Sequence, residues 1–329
     1  MQWEKVWEAY NINPIQIDKI TDRVYKITTN TTIYGLKISK LTIDHIGHWH
    51  AVYNYICTHQ IYGFVPLILT KDKEPYYILN QTVLFVHPWV ESNRTEHIID
   101  ESASFFHAIG KLHGSTTQYV DNNENTFNYQ SFDRKQKKEE LLEYIKFFEA
   151  KRFMSPFELQ ACMHYRDIEW IIEQFEKWND VYKGLSQETS QRKIVLCHNN
   201  LNPSHYVMLD DHLYFFNWEY ARIATPIHDI CFYLKHAFRY HDCDMKKIVE
   251  GLTIYQQYIQ LDDREKCELQ LQLLNIDSYI YLLENYVHQS MRLEIQMSKG
   301  LEQAFRQLLF ANQLQTYMFP RLQVNQEED

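Results

Sequence analysis

His198-Asn199-Asn200-Leu201-Asn202-Pro203-Ser204-His205 is a polar loop set between two short apolar, strand-prone runs, residues 194–197 and 213–216. Its side chains are hydrogen-bonding and potentially metal-ligating types, with Leu201 as the one aliphatic anchor. Two further motifs follow closely: Phe215-Phe216-Asn217-Trp218-Glu219-Tyr220-Ala221 and Pro226-Ile227-His228-Asp229. A strand pair that presents such a loop inside an otherwise helical region is a specific arrangement, and the chain on either side makes it more so.

Upstream, Phe105, Ile109 and Leu112, then Leu141, Ile145 and Phe148, then Ile168, Ile171, Ile172, Phe175 and Trp178 recur at helical spacing. The mixed-sign run 133–140 reads as a solvated helix face. After Asp229 the chain is helical almost to a polar tail at 323–329. The first ninety residues differ. Runs 24–28 and 32–38 flank Thr29-Asn30-Thr31 and predict a hairpin. A helix is expected over 44–59, where Trp49, Val52, Tyr53 and Ile56 share a face. Strands are expected at 65–70, 76–79 and 83–89, the last ended by Pro88. The reading is an α+β protein with a β-rich lobe over 1–90 and a mostly helical lobe over 91–329, without an internal repeat.

A formal charge of -10 argues against nucleic acid or an anionic membrane as partner, since both attract basic surfaces. The longest apolar runs fall far short of the ~20 residues of a membrane helix. Met1-Gln2-Trp3-Glu4-Lys5 does not start a basic-then-apolar leader, so cytoplasmic synthesis is expected. The six scattered cysteines are expected to be free thiols. Glycine numbers only 8, which is few for a protein that would cradle phosphates on backbone N–H groups.

The three quoted motifs together resemble the aminoglycoside phosphotransferase and choline kinase family, relatives of the protein kinases. The family pattern is His-Gly/Asn-Asp, four residues, Asn, a hairpin, Asp-Phe/Trp-Asp/Glu-x-Ala and a later Asp. Leu36-Lys37 resembles the strand that carries the phosphate-pairing lysine. Pro88-Trp89-Val90-Glu91 resembles the hinge between lobes, and Ala108-Ile109-Gly110-Lys111-Leu112-His113 the helix after it. The resemblance implies a two-lobed protein kinase-like fold over roughly residues 18–240, with His198, Trp218 and Asp229 as scaffold positions. The hinge and loop are most similar to bacterial spore coat proteins of the CotS/YutH type.

At the chemical positions the chain departs from this pattern. Asn200 stands at the catalytic Asp, and a carboxamide cannot act as a base. His205 stands at the metal-binding Asn, and Asn217 at the metal-binding Asp; magnesium prefers hard oxygen ligands, anionic where possible. Residues 18–27, where a phosphate-covering loop belongs, lack glycine and carry Asp22, whose charge would oppose a triphosphate. No Glu occurs between Glu8 and Glu74, so the helix after Lys37 lacks the acid that usually pairs with that lysine, and His48 lies about where it would fall.

The expected function is that of a pseudokinase, with a structural or morphogenetic role in the spore coat and other coat proteins as partners. Two alternatives stand beside it. One is an ATP-dependent small-molecule kinase whose Mg²⁺ would be held at an atypical metal site built from His205, Glu219 and Asn217. The other is a nucleotide-binding module without turnover, using Lys37 for a phosphate. His45, His48 and His50 fan out around a helix and His241-Asp242-Cys243-Asp244 reads as a loop, so neither is expected to bind zinc. The 24 tyrosines read as core and half-buried surface, and they would also suit oxidative cross-linking in a coat layer.

Overall fold

The computed structural model describes residues 3–90, 101–121, 134–188, 191–209, 212–288 and 294–319. In chain order its elements are α1 (Trp3–Tyr10), β1 (Gln16–Lys19), β2 (Val24–Thr28), β3 (Ile33–Ile38), α2 (Ile46–Thr58), β4 (Tyr77–Leu79), β5 (Thr82–Pro88) and α3 (Glu101–Thr116). There follow β6 (Gln118–Asp121), α4 (Arg134–Glu149), α5 (Pro156–Glu188), β7 (Gln191–Cys197), β8 (Tyr206–Leu209), β9 (His212–Phe215) and β10 (Arg222–Ala224). The helices α6 (Ile227–Ala237), α7 (Met245–Tyr255), α8 (Asp263–Leu274), α9 (Asp277–His288) and α10 (Glu294–Met318) complete the chain. They group into two compact units, Met1–Thr116 with Leu196–Ala224, and Thr117–Val195 with Thr225–Asp329. The expected lobe boundary after residue 90, the hinge residue Glu91, Asp133 and the tail 323–329 adjoin or lie outside the described residues.

The first unit is built on an antiparallel sheet of order β1-β2-β3-β5-β4. Side chains alternate across a strand. Leu36, Leu84 and Val86 therefore share one face with Ile27, and α1 covers it with Val6 and Tyr10. The Tyr10 hydroxyl donates to the Leu84 carbonyl at 3.2 Å. On the other face Val83 and Phe85 pack against Ile46 and Trp49 of α2. Lys37 is paired with Phe85 in the β3–β5 register, which places it on this second face.

Three expectations need correction. Residues 65–70 form no strand. Pro66 removes a ladder donor, and the run makes only isolated backbone bonds, such as Ile68 N–H to Val86 O at 2.8 Å. The run 194–197 does not pair with 213–216; the polar loop instead leads into β8, which pairs with β9. Besides the expected helix near 44–59, seen as a 3-10 turn and then α2, the amino-terminal region holds α1 and an extra strand, β1.

The second unit is organised around α5. Ile168, Ile171, Ile172, Phe175 and Trp178 form its buried face, and α4, α8 and α10 pack on it. Trp178 Nε1 donates to Gln315 Oε1 at 2.8 Å. Within this unit β6 pairs antiparallel with β7. Among the described residues no helix is long and apolar enough to cross a membrane.

The amino end of α8 is unusually polar for a core element. Asp262 and Glu265 form a capping box, and Lys193 reaches Glu265 at 2.9 Å. Glu268, one turn on, is 1% exposed. Burial raises its carboxyl to about 7, and the neighbouring Arg264 opposes that rise. Thr225 donates to it at 3.3 Å and Gln272 at 3.2 Å. The folded state therefore holds a proton that the unfolded chain releases near the ordinary carboxyl value, and this contribution to stability is lost as pH rises through about 7. Glu268→Gln should remove the dependence. Its stability relative to the parent should rise by about 1–3 kcal/mol between pH 5 and pH 8, read by urea unfolding at both values.

Candidate functional site

The site lies within the first unit, where β3, the loop 198–205 and the turn after β9 converge. His198 is fully buried. Its Nε2 lies 2.5 Å from the Phe216 carbonyl, so that nitrogen carries the proton. Its ring packs 4.8 Å from Trp218, whose Nε1 donates to Phe215 O at 3.0 Å. Asn199 adopts the left-handed region (φ 60°), which asparagine tolerates better than most side chains. Asn202 Oδ1 accepts from Ser204 N–H at 3.0 Å, closing a local turn. Phe216 N–H donates to His205 O at 2.7 Å and ties the loop to β9. His198 and Trp218 thus tie the loop to the turn after β9 by packing and hydrogen bonds.

Asn200 and His205 are turned toward each other through the backbone. His205 Nδ1 lies 2.6 Å from the Asn200 carbonyl and donates to it. Burial lowers the His205 pKa; the Asn200 carbonyl opposes this, and the Lys37 charge adds to it. The imidazole is thus neutral near pH 7, with Nε2 bearing its lone pair. Among the described residues the carboxamide of Asn200 has no hydrogen-bond partner.

Lys37 is the centre of the constellation. Its side chain is 15% exposed, and that of Glu219 only 5%. The ammonium donates to Asn217 Oδ1 at 2.6 Å and lies 2.6 Å from Glu219 Oε1. Among the described residues that oxygen has no other hydrogen-bond partner, so the lysine is what neutralises it. Burial lowers the Lys37 pKa, Glu219 pulls it back up, and the charges of Arg23 and Lys40 push it down. Asn217 reaches the lysine because its backbone is left-handed (φ 61°, ψ 50°), and the 3-10 turn Trp218–Tyr220 follows directly.

The acid that the helix after Lys37 lacks is thus replaced from elsewhere. His48, at the expected position, is exposed on α2, whereas Glu219 supplies the carboxylate from the turn after β9. Glu219, considered above as part of an atypical metal site, is engaged in this long-range ion pair. Asp22 stands at an exposed turn, 95% exposed and 2.8 Å from Lys19. His45 bonds Thr42 at 2.7 Å and His50 packs beside Tyr76, so these histidines do not converge. Asp229 is fully buried in the first turn of α6, in the second unit.

His87 escapes a reading of the sequence alone. It faces Gly35 across the β3–β5 register, and a Cβ built on Gly35 would stand 2.4 Å from His87 Cε1. Its Nδ1 donates to the Pro88 carbonyl at 2.8 Å, and its ring lies 5.4 Å from that of Phe216. Burial lowers its pKa, Pro88 opposes, and Lys37 adds to the lowering. The available signal was Gly35 itself, because glycine inside a strand often marks a close approach.

Beside Lys37 is a cavity walled by Trp49, Phe64, Val65, Leu67 and Phe85. Its volume is about 40 Å³. Magnesium needs several oxygen ligands in near-octahedral geometry. Asn217 Oδ1 and Glu219 Oε1 already face the lysine ammonium, and His205 offers a nitrogen, so the set is poorer in free hard oxygen donors than that metal prefers. The residues as arranged do not fit that metal.

No family model matches the sequence, and no curated protein does. Solved structures do match. An aminoglycoside phosphotransferase from Alicyclobacillus acidocaldarius aligns over 97% of this chain and 95% of its own, with a TM-score of 0.71 and 13% identity. The spectinomycin phosphotransferase APH(9)-Ia, in complex with ADP and spectinomycin, aligns over 94% and 97%, with a TM-score of 0.63 and 12% identity. The amicoumacin kinase hAmiN, in complex with AMP-PNP and Ca²⁺, aligns over 92% and 91%, with a TM-score of 0.56 and 15% identity. At such identities the likeness is one of fold. The chain has the α+β, two-lobed protein kinase-like fold of these phosphotransferases.

Proposed function

We propose that this chain is a catalytically degenerate kinase-fold protein, a pseudokinase that acts through its surface rather than by phosphoryl transfer. The observation that carries this reading is the commitment of Lys37 to Glu219 and Asn217. In a working enzyme the strand lysine holds phosphate oxygens while carboxylates hold metal ions. Here lysine, amide and carboxylate satisfy one another. Asn200 adds no base, and His205 is a neutral imidazole bonded to backbone.

His87 extends the same logic to the base. A nucleotide whose phosphates met Lys37 would run along β3 toward Gly35, about 7 Å away at ~3.3 Å per residue. The His87 ring covers Gly35 at that point. The resemblance of Pro88-Trp89-Val90-Glu91 and of the loop 198–205 to spore coat proteins supports a structural or morphogenetic role in the bacterial spore coat. On that reading the protein is made in the cytoplasm, deposited on the spore, and partnered by other coat proteins.

A second reading, nucleotide binding without turnover, is favoured by the ADP and AMP-PNP in the solved relatives. Thermal melting with ATP, each time with and without Mg²⁺, separates the two. A ligand at 100 times its Kd stabilises the native state by ~2.7 kcal/mol, a shift of several degrees. The pseudokinase reading expects no shift. A Mg²⁺-independent shift supports the second reading, and a Mg²⁺-dependent one supports an active phosphotransferase and overturns the proposal.

The His87 arrangement is tested separately. Gly35→Ala should destabilise the protein by about 1–3 kcal/mol, as overpacking does. The cost should largely vanish in the His87→Ala background, where the crowding ring is gone. Equal costs in both backgrounds would place His87 away from Gly35.

A further inference from the structure

A second cavity lies wholly within the second unit, between α7, the start of α8 and the end of α10. Helix α7 is capped by Asp244, which accepts from Lys246 N–H at 3.0 Å. Val249, Leu252 and Gln256 follow at i, i+3 and i+7, so one face of the helix carries them. The chain then passes through Leu261 into α8, whose fourth residue is Lys266, and α10 ends alongside at Tyr317. The cavity has a volume of about 170 Å³. Leu252 and Leu261 are buried in its wall, whereas Tyr317 is 45% exposed.

Size and charge narrow what this space takes. An apolar cavity of ~150 Å³ admits one benzene ring, so the volume here suits a single ring with a small substituent. Among the described residues no Asp or Glu lines the cavity, and Lys266 is its one cationic side chain. Lys266 stands in the second turn of α8, near the helix end that favours anions. Its ion pair with Asp263, at 2.9 Å, is of the surface kind, since the aspartate side chain is 69% exposed; such pairs are weak and yield readily to a desolvated partner. Asp262 is committed to the Glu265 N–H at 2.7 Å. The Gln256 amide and the Tyr317 hydroxyl have no hydrogen-bond partner among the described residues, so both can serve a ligand.

We propose that this cavity binds a small aromatic carboxylate, one ring bearing one carboxyl group. The ring packs against Val249, Leu252 and Leu261, and the carboxylate accepts a charge-assisted hydrogen bond from the Lys266 ammonium. Gln256 and Tyr317 supply further donors at the polar end. Burial of the ring provides the attraction, and the lysine selects the acid over an uncharged molecule of the same shape.

Calorimetric titration of the full chain with benzoate and with benzamide, its uncharged isostere, tests this. Benzoate should occupy one saturable site with a Kd of about 1 mM or below, the range open to so small a ligand. Benzamide should bind at least about tenfold more weakly. Lys266→Met keeps the apolar stem and removes the charge; it should bring benzoate down to the level of benzamide and leave benzamide unchanged. Val249→Phe places a ring of the protein's own in the cavity and should abolish binding of both. Circular dichroism checks that each variant is folded, and Lys266→Met, at a partly exposed position, decides the matter if Val249→Phe does not fold. Absence of saturable benzoate binding, equal affinity for the two probes, or benzoate binding that survives either folded variant unchanged would each overturn the proposal.

Discussion

The ion pair between Lys37 and Glu219, completed by the Asn217 amide, is the constraint on which the rest of the site depends. A lysine with a side chain 15% exposed needs a partner, because burial alone pushes the ammonium toward its neutral form. Its place on β3 is fixed by the pleat, which puts Leu36 into the core under α1 and Lys37 on the opposite face. The partner must then come to it. Asn217 does so in a left-handed backbone conformation, Trp218 anchors the turn on Phe215 and Phe64, and Glu219 is presented from the 3-10 turn.

On the proposed reading, this arrangement keeps the architecture of a phosphotransfer site and redirects its electrostatics. An enzyme of this kind leaves a lysine and carboxylates facing an opening that phosphate and metal fill. Here positive and negative groups meet directly, and the imidazoles of His205 and His87 are held neutral by burial. The buried pair does not by itself argue for high stability, since desolvation offsets much of its attraction. Its consequence is specificity, as it fixes the turn after β9 against the sheet.

Much of this was legible in the sequence. The alternation in β2, β3 and β5 and the helical spacing in α2, α3, α4 and α5 follow from burying one face of each element. The place of the loop 198–205 between two strands was legible as well. The partner of Lys37 was not legible: Asn217 lies 180 residues away, and no local periodicity encodes such a meeting. Trp3, Val6, Trp7 and Tyr10 do carry helical spacing, but eight residues are too few to hold a helix alone; the sheet face they cover decides it. The run at 65–70 misleads for the opposite reason, as its apolar residues reach the core while Pro66 denies it a ladder.

A double-mutant cycle at Lys37 and Glu219 tests the account most directly, with Lys37→Met, Glu219→Gln and the pair followed by urea unfolding at neutral pH. Each single change strands a buried group and should cost about 2–4 kcal/mol. The double change should cost less than the sum of the two by at least ~1 kcal/mol. Additive effects, within ~0.5 kcal/mol, would mean that Lys37 is not bound to Glu219 in solution, and the closed, self-satisfied site would be contradicted.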